Sequence, residues 1–182
     1  MAYIPLVLIV VVLAWFVAAY NKLVRFRNQI KNAWHQIDVQ LKRRYDLIPN
    51  LVEVVKDYMA YEQETLTKVI EARGAALSAK GPAAQAKAEG LLTETLKSLF
   101  AVVEKYPELK ANQNVASLQE ELTGTENKIS FARQFYNDSV MTYNNAIQSI
   151  PTSFIASFFN FAQETYFETE PESRAVPKAS LR

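Results

Sequence analysis

Residues 3–20 read YIPLVLIVVVLAWFVAAY, and residues 21–48 continue, with no Pro or Gly, as NKLVRFRNQIKNAWHQIDVQLKRRYDLI. The first stretch carries no charge. As an α-helix rising about 1.5 Å per residue it spans about 27 Å, close to the thickness of a bilayer core. Tyr3 and Tyr20 bracket it where interfacial rings usually sit. A cleaved signal peptide would show a basic residue ahead of a shorter apolar run. No basic side chain precedes this run, and Ala18-Ala19 leads straight into a helical pattern. The second stretch places Leu23, Phe26, Ile30, Ala33, Ile37, Leu41, Tyr45 and Ile48 at steps of mostly three and four. That spacing predicts an amphipathic helix that prolongs the first one out of the membrane.

Flanking charge sets the expected orientation. Residues 21–44 contain Lys22, Arg25, Arg27, Lys31, Lys42, Arg43 and Arg44 against Asp38 alone. The positive-inside rule then leaves the N-terminus outside and places residue 21 onward in the cytoplasm. Lys22, Arg25 and Arg27 are the candidates for meeting anionic lipid headgroups.

Beyond residue 48 the pattern stays helical. Pro49 lacks an N–H and disfavours α geometry at Ile48, so the first cytoplasmic helix is expected to end there. Asp46 would cap a second helix with Pro49 in its first turn. That helix would run to the Lys80-Gly81-Pro82 stop. A third would end before Pro107, and a fourth would cover about 112–149 and end before Pro151. The fold class expected is all-α: a single-pass transmembrane helix (1–20) continuing into an antiparallel, up-down-up-down four-helix bundle (21–150). A Phe-rich segment (151–167) and a flexible tail (168–182) follow. In such a bundle the fourth helix returns to the membrane. Phe154, Phe158, Phe159 and Phe161 then either lie on the headgroups or cover the end of the core. The first helix, 28 residues past the membrane, is about 42 Å long, and the fourth, with up to 38, about 57 Å. The fourth is therefore expected to overhang or to bend near Gly124.

Composition narrows the chemistry. With 20 Lys+Arg against 19 Asp+Glu the chain is no globally basic nucleic-acid binder. It has no Cys, one His and four Gly, which leaves no disulfide framework and no Gly-rich phosphate loop. His35 has Asn32, not Glu, three residues before it, so the Glu-x-x-His pattern of carboxylate-bridged metal bundles is missing. No cofactor or metal is expected, and no nucleophile with a base stands out. Glu62, Arg73, Glu126 and Arg133 fall on or near the apolar stripes of the second and fourth helices. They are expected to form a buried ionic layer that fixes register. Asn137 and Asn144, one heptad apart, share a face and are candidates for the same task.

The run from Asn32 to Val52, NAWHQIDVQLKRRYDLIPNLV, strongly resembles the LemA family. So do Tyr106-Pro107-Glu108-Leu109-Lys110-Ala111, the stretch Thr125-Glu126-Asn127-Lys128-Ile129, Ala132-Arg133 and Tyr136-Asn137. The resemblance covers essentially residues 1–165. Family members often carry His where this chain has Tyr45. The resemblance implies an N-terminal anchor in a bacterial plasma membrane, an outside N-terminus and a helical cytoplasmic part. It also implies, through magnetosome-associated relatives, a loose link to membrane organisation, and it supplies no settled activity. Arg43, Arg44, Asp46 and Asn50 of the first motif cluster at the expected first turn, where a neighbouring subunit or a partner would meet them. The function expected is a non-enzymatic, membrane-anchored scaffold that self-associates on the bilayer. The alternative is a monomeric or dimeric adaptor that presents its distal tip to a signalling or proteolytic partner.

Overall fold

A computed structural model describes residues 3–59 and 61–167; the tail expected at 168–182 lies outside them. Every regular element among the described residues is helical: α1 (Tyr3–Lys56), α2 (Gln63–Ser78), α3 (Pro82–Val103), the single turn α4 (Pro107–Lys110), α5 (Gln113–Gln148) and α6 (Thr152–Phe158). The chain divides into two units. One takes α1 up to Asp38 together with Phe131–Tyr166, and the other takes Val39–Ser130.

In the first unit α1 changes character at Ala19. Before it the apolar side chains are open, Leu6, Val10 and Val17 each being more than half exposed. This is the one helix among the described residues long and apolar enough to cross a membrane. From Ala19 onward a stripe of Leu23, Ile30, Ala33 and Ile37 is buried. The second half of α5 contributes Ala132, Tyr136, Val140, Tyr143 and Ile147 to the same core, again at steps of three and four.

In the second unit α1 buries Leu41, Ile48, Leu51 and Val55. The small Ala72 and Ala76 of α2 and Ala86 of α3 are buried too, and α2 packs on α3. Leu92, Leu96 and Leu99 of α3, Leu109 of α4 and Val115, Leu122 and Ile129 of α5 complete this core. Gly81 turns the chain between α2 and α3 at φ +83°, a conformation open to Gly at little cost, and Pro82 starts α3 without needing a donor. Asn112 caps α5 by accepting the Asn114 N–H at 2.9 Å.

One expectation is corrected. The chain does not turn at 46–49: α1 is a single helix of 54 residues with Pro49 inside it. Asp46 is therefore a helix-interior residue, not a cap. Proline at 49 removes the N–H that would bond the carbonyl of Tyr45, four residues back. That carbonyl accepts instead from Arg73 of α2, Nε to O at 2.7 Å. The apolar stripe also keeps its phase across the proline, with Ile48, Leu51 and Val55 all fully buried, so tertiary burial holds the helix through its weak point. The length mismatch disappears with the turn. Past Tyr20, α1 has 36 residues, the same number as α5, which runs through Gly124 without interruption.

This arrangement sets a double-mutant test. Replacing Arg73 by Met leaves the Tyr45 carbonyl without its donor and is expected to cost about 1–3 kcal/mol in urea unfolding of the detergent-solubilised protein. In a Pro49→Ala background the backbone N–H returns, and the same Arg73→Met change is expected to cost markedly less. Equal costs in both backgrounds would separate Arg73 from Pro49.

Candidate functional site: an aromatic face at the end of the apolar run and a buried polar centre

The first unit gathers aromatic rings at the end of the apolar run. Phe159, just past α6, lies 4.7 Å from the Tyr20 ring and 6.0 Å from that of Phe16. Phe161 meets Tyr20 edge-on at 5.8 Å and carries the Arg27 guanidinium over its face at 5.1 Å. Phe161 and Ile155 are buried, whereas Phe154 and Phe158 stand more than 70% exposed. Within the Phe-rich segment Phe161 thus covers the core, and Phe154 and Phe158 face outward. Lys22 and Arg25 are exposed, Lys22 lying over the Phe26 ring. Arg27 is turned toward Phe161.

After Phe161 the chain doubles back along α5 as an extended strap. The Tyr143 hydroxyl donates to the Ala162 carbonyl at 2.9 Å, and the Tyr136 hydroxyl donates to that of Thr165 at 2.9 Å. The Asn144 side chain brackets Glu164, donating from Nδ2 to its carbonyl at 2.9 Å and accepting its N–H at 3.0 Å. The amide of Asn144 thereby satisfies the strap's main chain as a neighbouring strand would. Burial, with the Glu164 carboxylate nearby, pushes the Tyr136 hydroxyl up to about 12, so it stays protonated and able to donate at neutral pH.

The second unit holds a polar centre in an otherwise apolar core. The Arg44 side chain is almost fully buried; its Nη1 contacts Glu89 at 3.1 Å and Glu126 at 2.7 Å, and its Nη2 donates to Thr93 Oγ1 at 2.9 Å. Tyr45, next in sequence, donates its hydroxyl to Glu89 and accepts from Gln85 Nε2 at 2.8 Å. Desolvation first, then the Glu89 hydrogen bond, push the Tyr45 hydroxyl far above the ordinary phenol range. A cleft of about 170 Å³ opens beside Arg44 and Glu126 between Leu96, Phe100 and Leu122, and Glu126 retains 38% side-chain exposure there. One cation thus serves a fully buried carboxylate and a second one at the solvent edge, joining α1, α3 and α5. Arg73 ties α2 to the same stretch of α1.

The expected residues distribute as follows. Of the four assigned to a partner contact, Arg43, Asp46 and Asn50 are exposed, Arg43 pairing with Glu121 at 3.3 Å, but Arg44 points into the core. The expected ionic layer is not one layer. Glu126 and Arg73 belong to the centre around Arg44 and Tyr45, Glu62 stands at the start of α2, and Arg133 lies in the other unit. The members that sequence reasoning missed are Glu89, Gln85, Thr93 and Tyr45. Gln85 and Glu89 carried a signal, since they lie four residues apart on a face otherwise lined by Ala86, Leu92 and Leu96.

Two neighbouring arginines should therefore behave differently. Arg44→Met takes the guanidinium away from the buried Glu89 carboxylate and is expected to cost about 3–5 kcal/mol. Arg43→Met removes an exposed pair and is expected to cost under about 1 kcal/mol. Chemical denaturation of the two variants checks this, and similar losses would contradict the assignment. In the first unit, Asn144→Ala is expected to speed amide exchange at Glu164 and to leave exchange around Leu92 unchanged.

Comparison with known proteins finds relatives of this sequence. At 24% identity, covering 90% of this chain and 70% of the relative, it is similar to magnetosome protein MamQ 2 of Paramagnetospirillum magneticum. At the same identity it is similar to magnetosome protein MamQ of Magnetospirillum gryphiswaldense, over 84% of this chain and 65% of that one. It is also 24% identical to protein LemA of Metamycoplasma hominis, over 92% and 77%. None of these names denotes an enzyme. The LemA family model matches residues 33–180, a span that takes in the Arg44 centre, the strap and both halves of α5, and the chain belongs to the LemA family.

Proposed function

We propose that this protein is a non-enzymatic, membrane-anchored helical scaffold that self-associates on the cytoplasmic face of a bacterial plasma membrane and contributes to membrane organisation. The observation that carries the reading is α1 itself. One unbroken helix presents an exposed apolar stretch over its first 17 residues or so and then enters two packed helical cores. The basic residues from Lys22 to Arg44 orient it with the N-terminus outside. Within this reading the long helices pack as an antiparallel four-helix arrangement, supported by the Arg44 and Arg73 contacts that join α1, α2, α3 and α5. Anionic headgroups meet Lys22 and Arg25. The likeness to proteins named for the magnetosome supports a role in organising membrane.

Self-association draws support from α5. Phe131 is 74% exposed and Phe135, one turn on, 42% exposed. Two large rings side by side outside the spanning stretch form a small apolar patch that a neighbouring copy would cover. The exposed Arg43, Asp46 and Asn50 are further positions at which a neighbour would be met.

Mass measurement of the full-length protein in lipid particles tests this, with a Phe131→Glu/Phe135→Glu variant alongside. A defined assembly of several copies that the variant reduces to monomers is the expected result. A wild-type monomer at every concentration would overturn the scaffold in favour of a single-copy adaptor.

A further inference from the structure

The short helix α6 uses its two faces differently. Ile155 and Ala156 are buried at 2% and 4% exposure. Phe154 and Phe158, one turn apart on the opposite face, are exposed at 71% and 77%, and Ile150 just before the helix at 80%. Such apolar side chains are costly to leave in water, and the described residues leave them largely open. The position of α6 is fixed by the residue that follows it. The Phe159 ring packs at a tilt against Tyr20 and lies beside Phe16, in the last turn of the exposed apolar stretch of α1. The open Phe154 and Phe158 are thus held at the level where α1 passes from hydrocarbon to headgroups, and their surface continues that of the spanning stretch. The sequence agrees, because no charged side chain occurs between Asp138 and Glu164. Basic side chains for the headgroups stand close by on α1, at Lys22 and Arg25.

We infer that α6 is a second membrane contact: Phe154 and Phe158, with Ile150, insert into the interfacial zone of the leaflet that α1 leaves at Tyr20. The occupant of this apolar face is lipid, at the boundary of glycerol and acyl chain, where aromatic rings partition well. The inference rests on the reading that residues 3–20 span the bilayer. It divides the labour within the segment: Phe159 and Phe161 fix α6 to α1, and Phe154 and Phe158 enter the lipid. The chain then touches the membrane at two points far apart in sequence, and α1 is restrained from turning freely about its own axis.

The absence of cysteine permits single-site spin labelling of the full chain. Labels at Val10→Cys, Phe154→Cys, Phe158→Cys and the exposed Lys128→Cys are read in vesicles of mixed zwitterionic and anionic phospholipid, by collision with oxygen and with a water-soluble nickel chelate. The expected result is oxygen-dominated collision deep in the bilayer for position 10, oxygen-favoured collision at shallower depth for 154 and 158, and nickel-dominated collision for 128. A lipid-embedded label at 10 with nickel-dominated labels at 154 and 158 would overturn the contact and leave the anchor standing. A nickel-accessible label at 10 would overturn the anchor and the contact with it. Labels at 154 and 158 shielded from both reagents, and broadened by labels on neighbouring molecules, would show a second copy over this face and overturn the lipid assignment. Because labelling replaces the rings themselves, a label at Ser157→Cys is read with both Phe present and again after Phe154→Glu/Phe158→Glu. The expected change is a severalfold rise in nickel collision, and no change would overturn the inference.

Discussion

A carbonyl with no helical donor is the constraint on which this protein is built. Pro49 sits where α1 would otherwise break, and the Tyr45 oxygen it orphans lies in a half-buried environment where an unmet acceptor is costly. Arg73 meets it from α2, so a helix of 54 residues persists where local propensity alone would end it. Much depends on that persistence. It places Leu51 and Val55 in the core, brings α1 to the length of α5 beyond Tyr20, and turns the stretch around Arg43 to Asn50 from a surface bend into the wall of a packed unit.

The Arg44 centre is the second consequence. A buried cation is poor at adding net stability, because desolvating it consumes most of what its partners return. It is effective at excluding alternatives. If α3 slid by one turn against α1, Glu89 would lose both the guanidinium and the Tyr45 hydroxyl, and the neutral Gln85 or Thr93 would come to the place of the carboxylate. The apolar stripes here are rich in Ala and Leu, which pack acceptably in several registers. A single set of directional contacts among Arg44, Tyr45, Gln85, Glu89 and Thr93 selects one of them.

The helical class and the apolar span were legible because both rest on periodicity and length, which a sequence displays directly. The turn between α2 and α3 was legible for a similar reason, since Gly81-Pro82 is local chemistry. Pro49 misled because its local rule was read without its tertiary answer. The corrective signal was the stripe Leu41, Tyr45, Ile48, Leu51, Val55, which does not shift phase at the proline. Arg43 and Arg44 could not be separated by composition, since two adjacent residues of one type differ only by the 100° that a helix turns between them. The Phe cluster was recognisable as a group. Its division into Phe161 inside and Phe154 and Phe158 outside required the path of the strap, which is fixed by Tyr136, Tyr143 and Asn144 from a distance in sequence.

The strap's bonding has an evolutionary corollary. Tyr136, Tyr143 and Asn144 grip the main chain of Ala162, Glu164 and Thr165, not their side chains. Every amino acid offers the same carbonyl and, proline apart, the same N–H. The lock is therefore demanding on one side and indifferent on the other. Drift in the strap's own residues would leave its path intact, whereas the three residues on α5 form a template that tolerates little exchange. Related chains would then keep the course of this segment long after its letters had ceased to align.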